Sequence, residues 1–206
     1  MSIRAVFFDL GGVIVRTEFQ APRQHLAERL GMEYEDLERL VFESETSRLA
    51  SLGKITEDEH WRAIAQRVHR PEEADRLRAE FFGGDVIDLA LIDCIRSLRP
   101  RRKTGLISNA WSGLRDYIVR HKFDDAFDCL IISAEVGMVK PQAEIYRYAA
   151  EQLGIRPDEA LFVDDTPENI HGAQKVGMIG VLFRSPEQTL RELREHLWLD
   201  DSLTAS

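Results

Sequence analysis

The sequence predicts an α/β protein: a doubly wound parallel sheet carrying a small all-helical domain. Three observations point there. Five short apolar runs, each bounded by turn residues, have the β-branched character of buried parallel strands. Helical patterns separate the later runs, and alternation of strand and helix argues a sheet wrapped on both faces. Between the first run and the second, the segment from Phe19 to Phe82 holds only helical patterns.

Taken in order, the predicted strands are Ile3–Phe8, Thr104–Ile107, Cys129–Ser133, Ala160–Val163 and Ile179–Phe183. Trp111–Arg120 spaces Leu114, Ile118 and Val119 helically. Pro141–Leu153 starts with a proline suited to a first turn and stops at Gly154. Pro167–Val176 follows Thr166 as N-cap, and Ser185-Pro186-Glu187-Gln188 reads as a capping box opening a helix through Leu197. Inside the inserted stretch, Thr56–Glu59 forms a T-x-x-E box ahead of Trp61, Ile64 and Val68. Gly83-Gly84 then breaks the chain, and a helix over Val86–Arg99 returns it to the sheet. The expected division is a sheet-containing core of residues 1–18 and 83–206, with residues 19–82 as a helical domain over the strand ends.

The chain has 206 residues, and 27 Lys+Arg against 36 Asp+Glu leave a formal net charge of −9. That balance argues against a nucleic-acid binder, which needs clustered cations against phosphates. No apolar run approaches the roughly 20 residues of a membrane span. The apolar stretch Ala5–Val15 is broken by Asp9 and two glycines, unlike a signal peptide. A cytoplasmic protein is expected. Cys94 and Cys129 match no metal or redox spacing and read as reduced, buried small hydrophobes. The six histidines (His25, His60, His69, His121, His171, His196) show no zinc-binding spacing.

Polar residues stand where the apolar strands stop. The first run ends in Asp9-Leu10-Gly11-Gly12, the second in Ser108-Asn109 and the fourth in Asp164-Asp165; Lys140-Pro141 follows the third. In a doubly wound sheet these ends converge on one crevice. Carboxylates suit a hard cation such as Mg²⁺. Asp9 can act as a carboxylate nucleophile on phosphorus. Lys140, Ser108 and backbone N–H groups after the first strand can hold the phosphoryl oxygens. Each motif alone has a bland reading, as a turn, a helix cap or a solvated lysine. Four such coincidences on four strand ends do not.

In this order the motifs Phe8-Asp9-Leu10-Gly11-Gly12-Val13, Ile107-Ser108-Asn109, Val139-Lys140-Pro141 and Val163-Asp164-Asp165-Thr166 resemble those of the haloacid dehalogenase superfamily. That resemblance implies a Rossmann-like core, with the insertion as a small α-helical cap. Within the superfamily the chain is similar to members with a D-x-G-G/N-V first motif, such as sugar-phosphate phosphatases and the phosphatase domain of bifunctional epoxide hydrolases. Carried over, Asp9 is nucleophile and metal ligand, and the Gly11 carbonyl and Asp165 are metal ligands, with Asp164 binding directly or through water. Leu10, Gly11, Ser108, Asn109 and Lys140 bind the phosphoryl group, Asn169 supports the acids, and Glu18 faces the substrate from the cap side. The implied activity is a Mg²⁺-dependent phosphatase of a small phosphorylated metabolite, such as a sugar phosphate, in a monomer or homodimer.

The sequence departs from the pattern at Gly11, where relatives carry the aspartate that protonates the leaving group, and at Arg16, where many carry Asp. Gly11 keeps two alternatives open: a metal-free 2-haloacid dehalogenase, and a phosphate-binding module without turnover. Trp111 either borders the substrate or packs against helices. The charged stretch Arg23–Arg48 reads as a solvated face.

Overall fold

The computed structural model describes residues 2–99 and 101–203. The chain runs β1 (Ala5–Phe8), β2 (Val15–Thr17), α1 (Ala21–Leu30), α2 (Tyr34–Phe42), α3 (Glu45–Ser51), α4 (Glu57–Arg67) and α5 (Ala74–Phe81). It continues through β3 (Asp85–Ile87), α6 (Leu89–Leu98), β4 (Lys103–Ser108), α7 (Leu114–Arg120), β5 (Cys129–Ile132) and α8 (Ser133–Val136). Then come α9 (Ala143–Gln152), β6 (Ala160–Asp164), α10 (Pro167–Lys175), β7 (Ile179–Leu182) and α11 (Pro186–Leu203). The main sheet is parallel, with order β5-β4-β1-β6-β7. This is the Rossmann-like, doubly wound arrangement.

Alternation along β1 sends its side chains to opposite faces of the sheet. Val6 and Phe8 pack with Leu91, Ile92 and Ile95 of α6, Ile118 of α7 and Leu193 and Leu197 of α11. Ala5 and Phe7 pack with Ile145, Tyr146 and Ala149 of α9 and Ile170 and Ala173 of α10. Both faces are covered, and β1 is apolar and wholly buried.

Helices α1–α5 have a cluster of their own, built on Leu26, Leu37, Val41, Trp61, Ile64, Leu77 and Phe81, and one core residue, Trp111, joins it. The Thr56 capping box is complete, with Thr56 Oγ1 accepting from Glu59 N and the Glu59 carboxylate accepting from Thr56 N. The insertion leaves and rejoins the sheet domain through a short antiparallel ribbon of β2 and β3. The sequence reading missed this ribbon, because strands of three residues are too short to display a period. The helix expected over Val86–Arg99 accordingly begins only at Leu89, after Asp88 caps it by accepting from Leu91 N.

Other differences have local causes. Trp111 leaves the helix expected from it: α7 starts at Leu114, and the Trp111 ring turns into the insertion's cluster. Thr166 occupies the N-cap position of α10 without a side-chain cap, its N–H donating instead to Asp164 Oδ1. At Ser185 only half of the expected box forms: Ser185 Oγ accepts from Gln188 N, while Gln188 Oε1 accepts from Arg184 N, and α11 runs past Leu197 to Leu203. Cys94 and Cys129 are free but only half-buried, on sheet and helix margins rather than in the core. Arg23 is not on a solvated face. It is buried, donates to the Phe81 carbonyl, pairs with Glu38 and Asp85, and stacks over the Phe81 ring.

One glycine fixes the spacing of the central strands. A Cβ on Gly105 of β4 would sit 2.5 Å from the Phe7 ring and 3.0 Å from Cys129 Sγ. Gly105→Ala should therefore overpack this layer and cost about 1–3 kcal/mol, read from chemical denaturation. An unchanged midpoint would show that the layer has slack.

Candidate active site

All strands of the main sheet are parallel, so β1, β4, β5 and β6 present their carboxyl ends along one edge. Asp9 follows β1 directly, Ser108 and Asp164 close β4 and β6, and Lys140 comes from the loop after α8. Asp9, Ser108 and Lys140 are nearly buried and Asp164 fully so.

Lys140 Nζ lies 2.8 Å from Asp9 Oδ2 and 2.6 Å from Asp164 Oδ2. Asp9 Oδ1 accepts from Leu10 N at 2.7 Å, so the carboxylate is held at both oxygens. Asp164 is held on every side: Oδ1 accepts from Thr166 N at 2.8 Å, and Asn169 Nδ2 lies 3.1 Å from both oxygens. Asn169 is in turn fixed by Tyr146, whose hydroxyl donates to its carbonyl at 2.7 Å. Asn109 clasps the backbone of Lys140, its Oδ1 accepting from Lys140 N at 2.8 Å and its Nδ2 donating to Lys140 O at 2.9 Å. The loop that brings Lys140 to the site is seated against α10 because Gly172 has no side chain where Pro141 packs.

Asp165 opens toward solvent beside this buried trio. A Cβ on Gly12, whose φ is +75°, would overlap the Asp165 carboxylate, so only glycine fits both the turn and the approach. Gly11 differs: nothing lies within 4 Å of where its Cβ would be, and its backbone is not left-handed. An aspartate could stand there. Glu18 is exposed and turned to Arg16, whose guanidinium also reaches the Val13 carbonyl and Asp88 at the start of α6. The arginine found in place of an acid thus braces the β2 segment against the core. Sequence reading did not single out Ser133, which pins the Ala110 peptide after β4: Ser133 Oγ accepts from Ala110 N and donates to Ala110 O. A lone serine at a strand end carries no signal of such a contact.

Oxygens of Asp9, Asp164 and Asp165 lie within 4.8 Å of one another. Three acids against one lysine leave an excess of negative charge, and the carboxyls respond. Burial, with the neighbouring Asp164 charge, pushes Asp9 up to about 7 despite the opposing pull of Lys140. Partial burial and Asp164 also raise Asp165.

The fold and the site together define an α/β protein that gathers three acids and a lysine at the carboxyl edge of its sheet. A family model described as haloacid dehalogenase-like hydrolase matches residues 3–177, and the chain belongs to that family. It is 30% identical over 187 residues to D-ribitol-5-phosphate phosphatase of Bacteroides thetaiotaomicron, covering 85% of this chain and 89% of that one. It is 25% identical over 215 residues to bifunctional epoxide hydrolase 2 of Rattus norvegicus, where the match takes in 95% of this chain but only 39% of the longer protein. The crystal structure of a haloacid dehalogenase family enzyme from B. thetaiotaomicron, in complex with magnesium and inorganic phosphate, superposes with a TM-score of 0.77. That chain is 22% identical, with 90% of this chain and 96% of the other covered, and so shares the fold. Among the described residues no helix is long and apolar enough to cross a membrane.

Two substitutions should move Asp9 in opposite directions. Lys140→Met removes the favourable cation and should raise its titration midpoint above about 7, whereas Asp164→Asn removes a like charge and should lower it. Carbon-13 NMR of the Asp9 carboxyl reads both. Lys140→Met also leaves Asp9 and Asp164 buried without their partner, and should cost about 3–5 kcal/mol of stability.

Proposed function

We propose that this protein is a phosphomonoester hydrolase acting on a small phosphorylated metabolite through an aspartyl-phosphate on Asp9. The observation that carries this is the Asp9 carboxylate, held at both oxygens by Leu10 N and Lys140 Nζ beside two further acids. A carboxylate so fixed is oriented for attack rather than free to rotate. In the first step an Asp9 oxygen bonds to phosphorus, the bond to the leaving oxygen breaks, and that oxygen takes a proton from solvent. In the second, water attacks phosphorus and Asp9 regains its carboxylate. Lys140 favours the ionised form of Asp9 against burial and the Asp164 charge, and Asp164, itself held by Asn169, keeps Lys140 in place. Ser108 at the end of β4 and Gly11 N in the turn after β1 serve as donors to the phosphoryl oxygens.

The donor set suits Mg²⁺: hard oxygen ligands, excess negative charge and an acid open to solvent at Asp165. Asp9, Asp165 and the Gly11 carbonyl would hold it, with Asp164 engaged by Lys140, Thr166 and Asn169 and acting from behind them. When bound, the ion supplies positive charge against the phosphoryl oxygens. The same excess of acids disfavours a metal-free dehalogenase. Residues 19–82 serve as the cap that selects the substrate. The relative named D-ribitol-5-phosphate phosphatase supports this reading and points to a sugar phosphate as the substrate class.

Asp9→Asn should abolish hydrolysis of an aryl phosphate with the fold intact, since the amide is near-isosteric and a poor nucleophile. A residual rate of a tenth of wild type would overturn the covalent mechanism. Chelation should stop turnover, and Asp165→Ala should raise the Mg²⁺ requirement more than Asn169→Ala does.

Because no side chain at position 11 can protonate the leaving group, rates should depend steeply on its acidity: aryl and anomeric phosphates fast, primary alkyl phosphates slow. The open space at Gly11 admits an aspartate. Gly11→Asp should flatten that dependence and raise alkyl-phosphate rates by up to the roughly 10²–10⁴-fold that a general acid supplies. A flat dependence in wild type would show that another group is the acid.

A further inference from the structure

We infer that Trp111 is a positioning residue that couples the helical insertion to the phosphoryl-binding loop; the inference rests on the phosphatase reading above. The loop from Asn109 to Gly113 leaves β4 immediately after Ser108. Its first residues belong to the site, for Asn109 clasps both backbone polar groups of Lys140 and Ser133 pins both of Ala110. Its last residues belong to the insertion. The Trp111 ring is 9% exposed and packs among insertion rings: His60 at 4.5 Å, Trp61 at 6.1 Å, Phe42 at 6.2 Å and Phe82 at 6.3 Å between centroids.

The start of α4 closes on the same loop. Glu57 N donates to Ser112 Oγ at 3.1 Å, and the Glu57 carboxylate fills the space a side chain on Gly113 would need. The turn after α3 also meets α8, the helix that Ser133 begins: a Cβ on Gly53 would overlap the Ala134 carbonyl. Every residue of the loop is therefore gripped from one side or the other, and the loop is too short to absorb relative movement. An insertion that swings about the β2–β3 ribbon must pull Trp111 with it, or release the ring. Either way the peptides of Asn109 and Ala110, and with them Lys140, respond. A displaced insertion loosens the phosphate site, and a seated one tightens it.

The test uses the whole chain with Trp111→Ala, Trp111→Phe, Glu57→Ala and, as a control, Phe81→Leu. Phe81 shares the aromatic cluster but makes none of the loop's contacts. Two readouts are needed: inhibition of aryl-phosphate turnover by inorganic phosphate, and amide hydrogen exchange at Ala110. Trp111→Ala should weaken phosphate inhibition at least tenfold and speed exchange at Ala110. Trp111→Phe should recover most of both, and Phe81→Leu should disturb neither beyond twofold. If Trp111→Ala does not fold, Glu57→Ala should shift both readouts in the same direction by a few-fold. Unchanged exchange and inhibition in a folded Trp111→Ala or Glu57→Ala protein, beside normal wild-type turnover, would overturn the coupling alone. So would an equal effect from Phe81→Leu. Wild-type protein that neither hydrolyses the aryl phosphate nor binds phosphate would overturn the phosphatase reading itself.

Discussion

Lys140 carries its ammonium between two buried carboxylates, 2.8 Å from Asp9 and 2.6 Å from Asp164, in a region that would reject any of the three charges singly. The arrangement holds because each group has its remaining partners: Leu10 N on Asp9, Thr166 N and Asn169 on Asp164, and the Phe162 ring 5.3 Å from the ammonium. Asp9 and Asp164 come from two strand ends and Lys140 from the loop after α8, so the sheet must be formed before the charges can meet. The site is thereby a product of the fold's completion rather than of any local segment.

The same interaction explains why so many neighbouring contacts are bonds between side chain and backbone. Asn109 clasps Lys140, Ser133 clasps Ala110, and Tyr146 fixes Asn169. Such contacts leave the charged groups facing the crevice while removing the freedom of the loops that deliver them. Burial first, and the neighbouring Asp164 charge after it, holds Asp9 up at about 7 against the pull of Lys140.

The insertion meets the core through contacts of different chemistry. It meets the core at the β2–β3 ribbon, where Thr17 donates to Asp85 and Arg23 pairs with the same carboxylate, and at the Trp111 loop. The first contact is polar and can rearrange; the second buries an indole.

The sequence alone determined the α/β class, the strand cores and the run of helices between the first two sheet strands, and it singled out Asp9, Ser108, Lys140, Asp164 and Asp165 as residues that meet at one edge. Those features are written in periods and in polar residues at the ends of apolar runs, both of which are local signals. The tertiary structure decided what depends on residues far apart in the chain. It placed Arg23 in the interior because Glu38, Asp85 and the Phe81 carbonyl and ring surround it there. It turned Trp111 out of a helical pattern because an aromatic cluster from the insertion outweighs local periodicity. It paired β2 with β3 across an insertion of five helices, and it left open space at Gly11 while closing it at Gly12. Adjacent glycines look alike in a sequence; the left-handed φ of Gly12 and the Asp165 carboxylate just after β6 tell them apart.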